Sequence, residues 1–349
     1  MKNLTSFTLL LATLFMGGCA KSVKIAEHSF STEGTKIPAQ GQGQQEPTLD
    51  IQYLGVGGHR IQYGDAVLLT GPSFTNPSFL LTGPFMPLSS NHKKIDKFMP
   101  ESSEAQIILV GHAHYDHLLD VPYVMQKHAP KAQLYGSQTT VNSIISEIPA
   151  ERMTAVNEYM GTSDKPGKWF YSADGNIRIM ALKSSHAPHF MGIKLMQGKH
   201  KKPLKKLPWH SFGWKEGQTI AYLIDFLDAE QQPVYRIFYQ DAATAEQQGV
   251  VPALGDNKGI DIAIICPASF NQVKNYPATI VKNTQANHYI LGHWEDFFGN
   301  KPDGKQKFVR NTNAKKFIEQ LNNALPEGSQ WTRPQLFSTY QFNSEGLIP

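Results

Sequence analysis

The feature that most constrains this chain is the stretch IILVGHAHYDHLLD at residues 107–120. It opens with an unbroken apolar, β-branched run, which is typical of a strand buried on both faces. Four polar residues follow directly: His112, His114, Asp116 and His117. A solvated loop would explain a single His-x-His, but burying this whole set without a bound ion would be costly. Because neutral imidazole and carboxylate are preferred ligands of zinc-type ions, the stretch predicts a metal site at a strand end.

Strand and helix patterns intermix along the rest of the chain. Apolar, β-rich runs predict strands at 49–56, 65–71, 234–240 and 260–266. Helices are predicted from Asp120-Val121-Pro122 onward, over 141–148 and over 314–325, the latter two from apolar residues at helical spacing. This mixture favours the α/β class, and the length of 349 residues suits one large domain or two smaller ones.

The N-terminus has the composition of a targeting segment. Lys2, the short apolar run 7–16 and the small residues before Cys19 form a secretory signal, which we exclude from fold reasoning. It resembles a bacterial lipoprotein signal, which would make Cys19 the acylated first residue, and Ala20 then favours the outer membrane, facing the periplasm. An ordinary cleaved signal is the alternative. We therefore predict a signal peptide at 1–18, a flexible polar tether at 19–47 and a folded domain at 48–349.

The charge distribution argues against a nucleic-acid-binding protein. The formal net charge is +4, but the segment KHKKPLKK at 199–206 alone contains five lysines. A local cluster of this kind does not make a general nucleic-acid surface. Three readings of the segment stay open: contact with anionic lipid, binding of a phosphate, or a solvated insertion.

The histidine motif resembles the first metal motif of the metallo-β-lactamase-fold hydrolases. Later motifs of that family follow in order: SSHAPHF contains His186, YRIFYQDAAT contains Asp241, and ANHYILGHWEDFF contains His293. The resemblance spans about residues 49–325. It implies a four-layer αβ/βα sandwich with two metal ions at one edge, most readily Zn²⁺, with Mn²⁺ or Fe²⁺ as alternatives. By resemblance, the first metal is bound by His112, His114 and His186, the second by Asp116, His117 and His293, and Asp241 bridges the two.

The stretch LLTGPSFTNPSF at 68–79 and the string HYDH at 114–117 resemble a branch of this family that contains sugar-phosphate lactonases and phospholipases D of the N-acyl-phosphatidylethanolamine type. Two positions depart from the family pattern: Gly71 stands where an aspartate is usual, and Gln240 replaces the glycine before the bridging aspartate. Asp225, which lies inside a strand pattern, is a weaker candidate for the bridging position. His189 is a candidate catalytic donor, with a surface loop as its alternative, and His59 is a candidate substrate contact.

The resemblance implies a metal-dependent hydrolase that uses a metal-bridging hydroxide, oriented by Asp116 and Asp241 and assisted by His189. The chemistry suits an ester, lactone, amide or phosphodiester, with a small molecule or a lipid as substrate and the lipid anchor as the contact with the membrane. One alternative is a mononuclear iron oxygenase of the same fold, and another is a non-catalytic metal-binding envelope lipoprotein. A diiron redox protein is disfavoured, because such a relative usually has a glutamate where His114 stands. The substrate, the native metal and the oligomeric state stay open.

Overall fold

Strands with alternating core-facing residues build two β-sheets in this computed structural model, which describes residues 47–83, 85–189 and 191–348. The predicted signal peptide, the lipidation site Cys19 and all but the last residue of the predicted tether lie outside the described residues. In chain order the strands are β1 (Leu49–Gly55), β2 (Gly58–Tyr63), β3 (Ala66–Thr70), β4 (Ile107–Leu109), β5 (Gln133–Gly136), β6 (Met153–Ala155), β7 (Trp169–Tyr171), β8 (Ile177–Lys183), β9 (Ile220–Leu227), β10 (Pro233–Tyr239), β11 (Ile262–Ile265), β12 (His288–Leu291), β13 (Gln330–Thr332), β14 (Thr339–Asn343) and β15 (Gly346–Leu347).

The first sheet has the order β15-β14-β1-β2-β3-β4-β5-β6, and the second has the order β13-β12-β11-β10-β9-β8-β7. Both sheets are mixed. The pairs β3–β4 and β4–β5 are parallel, as are β10–β11 and β11–β12, whereas β8–β9 and β9–β10 are antiparallel. Strands β8, β10, β11 and β12 therefore run in the same direction, and their C-terminal ends meet at one edge of the second sheet.

Helices cover the outer face of each sheet. They are α1 (His92–Phe98), α2 (Tyr115–Leu118), α3 (Val121–Lys127), α4 (Gln138–Ile144), α5 (Ala278–Thr284) and α6 (Ala314–Ala324). Short 3-10 turns lie in the loops between other elements, among them Phe79–Thr82 after β3 and Ser211–Gly213 before β9. The first four helices share a core with the first sheet, and α5 and α6 share a core with the second. None of the helices in the described ranges has the length and hydrophobicity of a segment that crosses a bilayer.

The continuous apolar strands are buried on both faces. In β4, Ile107 lies in the core between the sheets, whereas Ile108 packs under the helices of the first sheet. In β11, Ile262 likewise lies in the core between the sheets, whereas Ala263 packs under the helices of the second sheet. A strand that buries both faces has no polar face, which explains the unbroken apolar runs in the sequence. The four layers confirm the predicted αβ/βα sandwich.

The structure refines several sequence-based boundaries. The prediction for 49–71 missed β2, in which Ile61 is the one apolar residue that is fully buried. The helix predicted over 141–148 ends at Ile144, although Ile148 is still buried. Ile148 precedes Pro149, and a residue before proline is disfavoured in helical conformation.

Asp225 is wrong as a candidate bridging ligand, because it forms an ion pair within the second sheet. Its neighbours Ile224 and Phe226 face the central core, so its side chain points to the opposite face. There Asp225 is fully buried and accepts two hydrogen bonds from Arg236, at 2.7 and 2.8 Å. Arg178 Nε donates to the same carboxylate at 2.8 Å.

Removing this carboxylate should destabilise the fold. In Asp225→Ala the guanidinium of Arg236, which is 1% exposed, loses one of its two carboxylate partners and keeps the other, Asp256, at 2.7 and 2.9 Å. We expect the free energy of unfolding to fall by about 2–3 kcal/mol, because buried charge-assisted hydrogen bonds are lost. Urea denaturation followed by far-ultraviolet circular dichroism measures this change.

Glu104→Ala is the matched control, because it removes the carboxylate of an exposed pair with Lys131. That substitution should cost less than about 1 kcal/mol. Equal losses for the two variants would contradict the structural role of the buried pair.

Candidate metal centre

Four loops that follow strands bring the predicted ligands together. His112, His114, Asp116 and His117 follow β4, with the last two residues in α2. His186 follows β8, Asp241 follows β10, and His293 follows β12. Strand ends at one edge of the sandwich are rigid, so the loops hold these side chains in fixed positions.

The seven side chains form three overlapping groups. In each group the potential ligand atoms lie within 4.8 Å of one another. The groups are His112–His114–His186, His112–His117–Asp241 and Asp116–His117–His293. The first and third contain the ligands that the family resemblance assigns to the two metals. The middle group joins them through Asp241, which is the position expected of a bridging carboxylate.

The donor atoms suit a cation and have few protein partners. Nε2 of His114 and Nδ1 of His293 are buried without a hydrogen-bond partner, and the ring nitrogens of His117 lie near the carboxylates of Asp241 and Asp116, at 3.2 and 3.4 Å. An unpaired buried polar atom is unfavourable, and a bound cation would satisfy several of them at once. Imidazole and carboxylate in this number fit zinc, manganese or iron.

The carboxylates at the centre stay ionised. Burial raises the pKa of Asp241, but the nearby rings of His112 and His117 outweigh it and hold the pKa well below its usual range. Their Nδ1 atoms lie 3.0 and 3.2 Å from the two carboxylate oxygens. Burial also raises the pKa of Asp116, but the rings of His117 and His293, each with Nε2 3.4 Å from the carboxylate, outweigh it and hold the pKa well below its usual range. The site therefore carries two negative charges that favour a cation.

His186 and His189 lie side by side on the loop after β8. His186 Nδ1 donates to the carbonyl of Ala187 at 2.6 Å, which leaves Nε2 unprotonated and free to bind a metal. The ring of His189 stacks on that of His186, with centroids 4.7 Å apart, and lies 5.4 Å from that of His114. Burial lowers the pKa of His189 to about 4, so this ring is neutral at neutral pH.

His59 and Gly71 lie beneath the ligands. His59 is fully buried, and its ring contacts those of Tyr53 and Tyr239 at 5.1 and 6.1 Å. Its predicted contact with substrate stays a prediction, and in this structure the surroundings of the ring are protein. At Gly71, a Cβ would lie 3.2 Å from the carbonyl oxygen of His117. Because Gly71 replaces the aspartate that is usual in the family, its backbone, with no side chain, lies against the metal motif.

Glycine is required at two positions because the backbone passes close to ligand side chains. A Cβ on Gly57 would lie 2.6 Å from His117 Nδ1, and a Cβ on Gly111 would lie 2.4 Å from both oxygens of Asp241. Contacts this short would displace the ligands.

The sequence analysis missed Glu295, which positions a ligand loop. Its buried carboxylate accepts hydrogen bonds from the hydroxyl of Tyr53 and, at 2.6 Å, from the backbone N–H of Val56. The carbonyl of Val56 in turn accepts a hydrogen bond from the N–H of His293 at 2.7 Å. Val56 and His293 both have positive φ angles, of 54° and 50°, which are unusual for such residues. An acidic residue two positions after His293 was the signal available in the sequence.

Asp120 also contributes to the site's surroundings. It precedes α3 but forms no side-chain cap. Instead, its carboxylate accepts hydrogen bonds from the backbone N–H groups of Phe74 and Thr75, at 2.7 and 2.8 Å, and from Ser90 Oγ at 2.8 Å. It therefore fixes the long loop that follows β3.

Gly111→Ala should weaken metal binding without unfolding the chain. The added methyl group has to push the carboxylate of Asp241 away from His112 and His117. We expect zinc affinity to fall by about 10- to 100-fold, the range seen when groups that orient ligands are lost. Competition with a chromophoric chelator measures the affinity, and circular dichroism checks the fold.

Gly259→Ala serves as control, because a Cβ there meets no atom within 4 Å. If Gly111→Ala bound zinc as tightly as this control, Asp241 would not be placed as described.

Comparisons with known proteins find solved structures that resemble this chain. No family model and no curated protein sequence matches the chain. Igni18, a metallo hydrolase of the archaeon Ignicoccus hospitalis, is 12% identical, with a TM-score of 0.47 over 85% of this chain and 99% of that chain. YhfI of Bacillus subtilis, a metallo-β-lactamase fold protein, is 12% identical, with a TM-score of 0.47 over 84% of this chain and 99% of that chain. CmlA of Streptomyces venezuelae, a diiron β-hydroxylase, is 11% identical, with a TM-score of 0.45 over 86% of this chain and 55% of that chain.

These similarities are distant, so the fold assignment depends on the topology of the chain itself. Two mixed sheets face each other, helices cover both outer faces, and loops after β4, β8, β10 and β12 meet at one edge with the histidines and aspartates. The chain therefore has the metallo-β-lactamase fold.

Proposed function

We propose that this protein is a metal-dependent hydrolase that binds two metal ions, most readily zinc, and cleaves an ester, lactone or phosphodiester. The observation that carries the proposal is the chain of three ligand groups joined by His112, His117 and Asp241. Two groups of three ligands, each with one histidine beside the carboxylate of Asp241, favour a dinuclear site over the mononuclear iron oxygenase.

Metal ions bound at these ligands would supply an activated water at neutral pH and would polarise a carbonyl or phosphoryl oxygen. Asp116 is the carboxylate that can reach a reacting group, because its side chain is 11% exposed whereas that of Asp241 is fully buried. Being ionised, Asp116 accepts a hydrogen bond from the attacking water and orients it. Asp241 holds the two ligand groups together.

His189 is suited to donate a hydrogen bond to the substrate. Its Nδ1 accepts the backbone N–H of Leu195 at 3.1 Å, so in the neutral ring the hydrogen is on Nε2. A donor beside the metal ligands can stabilise the negative charge that develops on the oxygen under attack. Cys266 is not a competing nucleophile, because it is buried and burial raises the pKa of its thiol.

A cavity next to His186 offers space for a small substrate or for the reacting part of a larger one. It has a volume of about 470 Å³, and its lining includes Pro188, Lys194, Gln272 and Lys274. A larger cavity of about 730 Å³ lies around Arg60, Lys131 and Tyr171, but none of the candidate ligands lines it. Proximity to the ligands therefore favours the smaller cavity as the substrate site.

We also propose that the protein is anchored in the bacterial envelope by a lipid on Cys19 and faces the periplasm from the outer membrane. The sequence of the signal-like segment supports this proposal. A lipid-anchored hydrolase would meet small molecules or lipids of the envelope as substrates.

Substitution of two ligands should separate metal binding from catalysis. Asp116→Asn keeps the size and one oxygen donor but loses the charge that orients the water. We expect it to keep at least one metal and to lose on the order of 10²-fold or more in kcat. His112→Ala should lose metal as well as activity, because His112 belongs to two of the three groups. The measurement is elemental analysis beside hydrolysis rates on a substrate found by screening bis-p-nitrophenyl phosphate, homoserine lactones and phospholipids.

His128→Ala is the control, since His128 lies on the surface beside Asp96 and outside the ligand groups. Full activity of Asp116→Asn would refute the proposed role of that carboxylate. About two zinc ions per wild-type chain are expected for a dinuclear site. One strongly enriched iron would favour the oxygenase, and metal-loaded protein without any hydrolytic activity would favour the non-catalytic lipoprotein.

The anchor is tested by fractionation of cells that express the full chain. We expect wild-type protein in the outer-membrane fraction and expect Cys19→Ala to be released or to remain unprocessed, because the acylated thiol is gone. Mass spectrometry of the N-terminal peptide identifies the modification. Soluble periplasmic protein with an unmodified Cys19 would contradict the proposal.

A further inference from the structure

Large apolar side chains are exposed on loops around the metal centre. They form a set that we name the apolar rim, and its members are Leu80, Leu81, Phe85, Met86, Met191, Ile193 and Trp209. Leu80, Phe85 and Met191 are 74%, 79% and 72% exposed. Single exposed apolar residues are ordinary, but a concentration of them beside a functional site indicates an interaction surface.

Contacts connect the rim to the metal ligands on both sides. On one side, Phe297 lies edge-on to His293 and stacks on Phe298, which lies edge-on to Phe79 at the start of the turn that carries Leu80. On the other side, the N–H of His189 bonds to the carbonyl of Ile193 at 2.8 Å. The ring of His189 stacks on that of His186. The rim therefore flanks the metal centre.

Trp209 connects the rim to the lysine-rich segment. Its carbonyl accepts the N–H of Leu88 at 2.7 Å, and Ser211 Oγ donates to the carbonyl of Thr82 at 2.5 Å. These two bonds hold Trp209 against the loop that carries Leu80 and Phe85. Lys205 and Lys206 precede Trp209 by only a few residues, so the basic segment leads directly into the rim.

The charge next to the rim has one sign. Residues 191–215 contain seven lysines and no acidic residue, and the loop 71–86 contains no charged residue. The five lysines of 199–206 are exposed, and none of them forms an ion pair with any residue that the structure describes. The surface therefore offers unpaired positive charge beside unpartnered apolar groups.

We propose that the apolar rim and the lysine segment dock the protein onto an anionic phospholipid bilayer. Leucine, phenylalanine, methionine and tryptophan side chains insert at the boundary between headgroups and acyl chains, and lysines contact acidic headgroups. An acidic protein partner would need a complementary apolar pocket for each projecting side chain, whereas a bilayer accepts side chains from separate loops. This contact is distinct from the anchor at Cys19, and it turns the opening of the metal centre towards the membrane. It does not depend on the reaction that the site catalyses.

Trp209 provides a direct test in the full chain. All five tryptophans lie in the described residues, and Trp209 alone is exposed, at 57%. The full-length protein is reconstituted on vesicles of phosphatidylglycerol and brominated phosphatidylcholine, whose bromine atoms quench tryptophan within the acyl region. We expect quenching in the wild type and loss of most of it in Trp209→Phe. Trp331→Phe, on the far strand β13, should retain it. Because the lipid on Cys19 attaches every variant to the vesicles, a difference in quenching reports insertion of the apolar rim into the bilayer and not attachment of the protein to it.

Lysine substitutions test the electrostatic half of the surface. Lys201→Gln, Lys202→Gln and Lys205→Gln together should remove most of the quenching, because each lysine near an anionic membrane contributes about fivefold in affinity. Replacing the exposed Lys282, Lys315 and Lys316 on α5 and α6 by glutamine changes the net charge equally and should leave the quenching unchanged. Zinc content and the urea midpoint of each variant confirm that its fold is intact.

The outcomes that overturn the proposal are distinct. Quenching that is absent in the wild type, or equal in Trp209→Phe, means that the rim does not enter the bilayer. Equal loss in both lysine variants means that general charge is responsible and not this surface. Binding of heparin without any quenching by the vesicles would mean that the lysine segment binds a soluble polyanion and not a membrane.

Discussion

The carboxylate of Asp241 is the contact on which the metal centre depends. It lies at the end of β10 in the second sheet, yet its oxygens face His112 and His117, which follow β4 in the first sheet. A buried negative charge needs positive or hydrogen-bonding partners, and these two rings provide them. The same contact therefore holds the edges of the two sheets together and sets the spacing of the two ligand groups. It also explains why Gly111, directly beneath the carboxylate, leaves no room for a side chain.

A second connection fixes the far side of the centre. Glu295 bonds the N–H of Val56, and Val56 bonds the N–H of His293, so the loop after β1 and the loop after β12 form one unit. Both Val56 and His293 adopt left-handed backbone conformations that cost energy. The buried carboxylate supplies the hydrogen bond that maintains this geometry. His293 is thus held near Asp116 by groups that never contact the metal ligands of the first group.

The parts of the fold that the sequence predicted well are those with local causes. Buried strands such as β4 and β11 are apolar without interruption, and α6 places Ala314, Phe317 and Leu321 at helical spacing. The later ligand motifs were predicted from the resemblance to the metallo-β-lactamase-fold hydrolases, and in the structure each of them follows a strand. Strand β2 could not, because it is held by hydrogen bonds to β1 and β3 and carries little apolar signal. The partners of Asp120, Asp225 and Glu295 are equally invisible in the sequence. Asp120 has a local explanation as a helix start, Asp225 was a candidate ligand and Glu295 had no assigned role, and only the folded chain shows which distant group each carboxylate binds.

The ligands and the loops around them have separate roles in determining what the protein does. The histidines and aspartates come from rigid strand ends and would determine the proposed hydrolytic chemistry. The loop after β3 and the insertion after β8 carry the groups that a substrate or a membrane would meet first. Asp120 connects the metal motif to the loop after β3. It follows the motif by three residues, and its carboxylate accepts hydrogen bonds from the N–H groups of Phe74 and Thr75. The position of the loop that bears Leu80 and Phe85 is therefore fixed by a residue that lies between α3 and α2, the helix that presents Asp116 and His117. A change in substrate preference can thus arise in the loops while the metal ligands stay in place, provided that this carboxylate is kept.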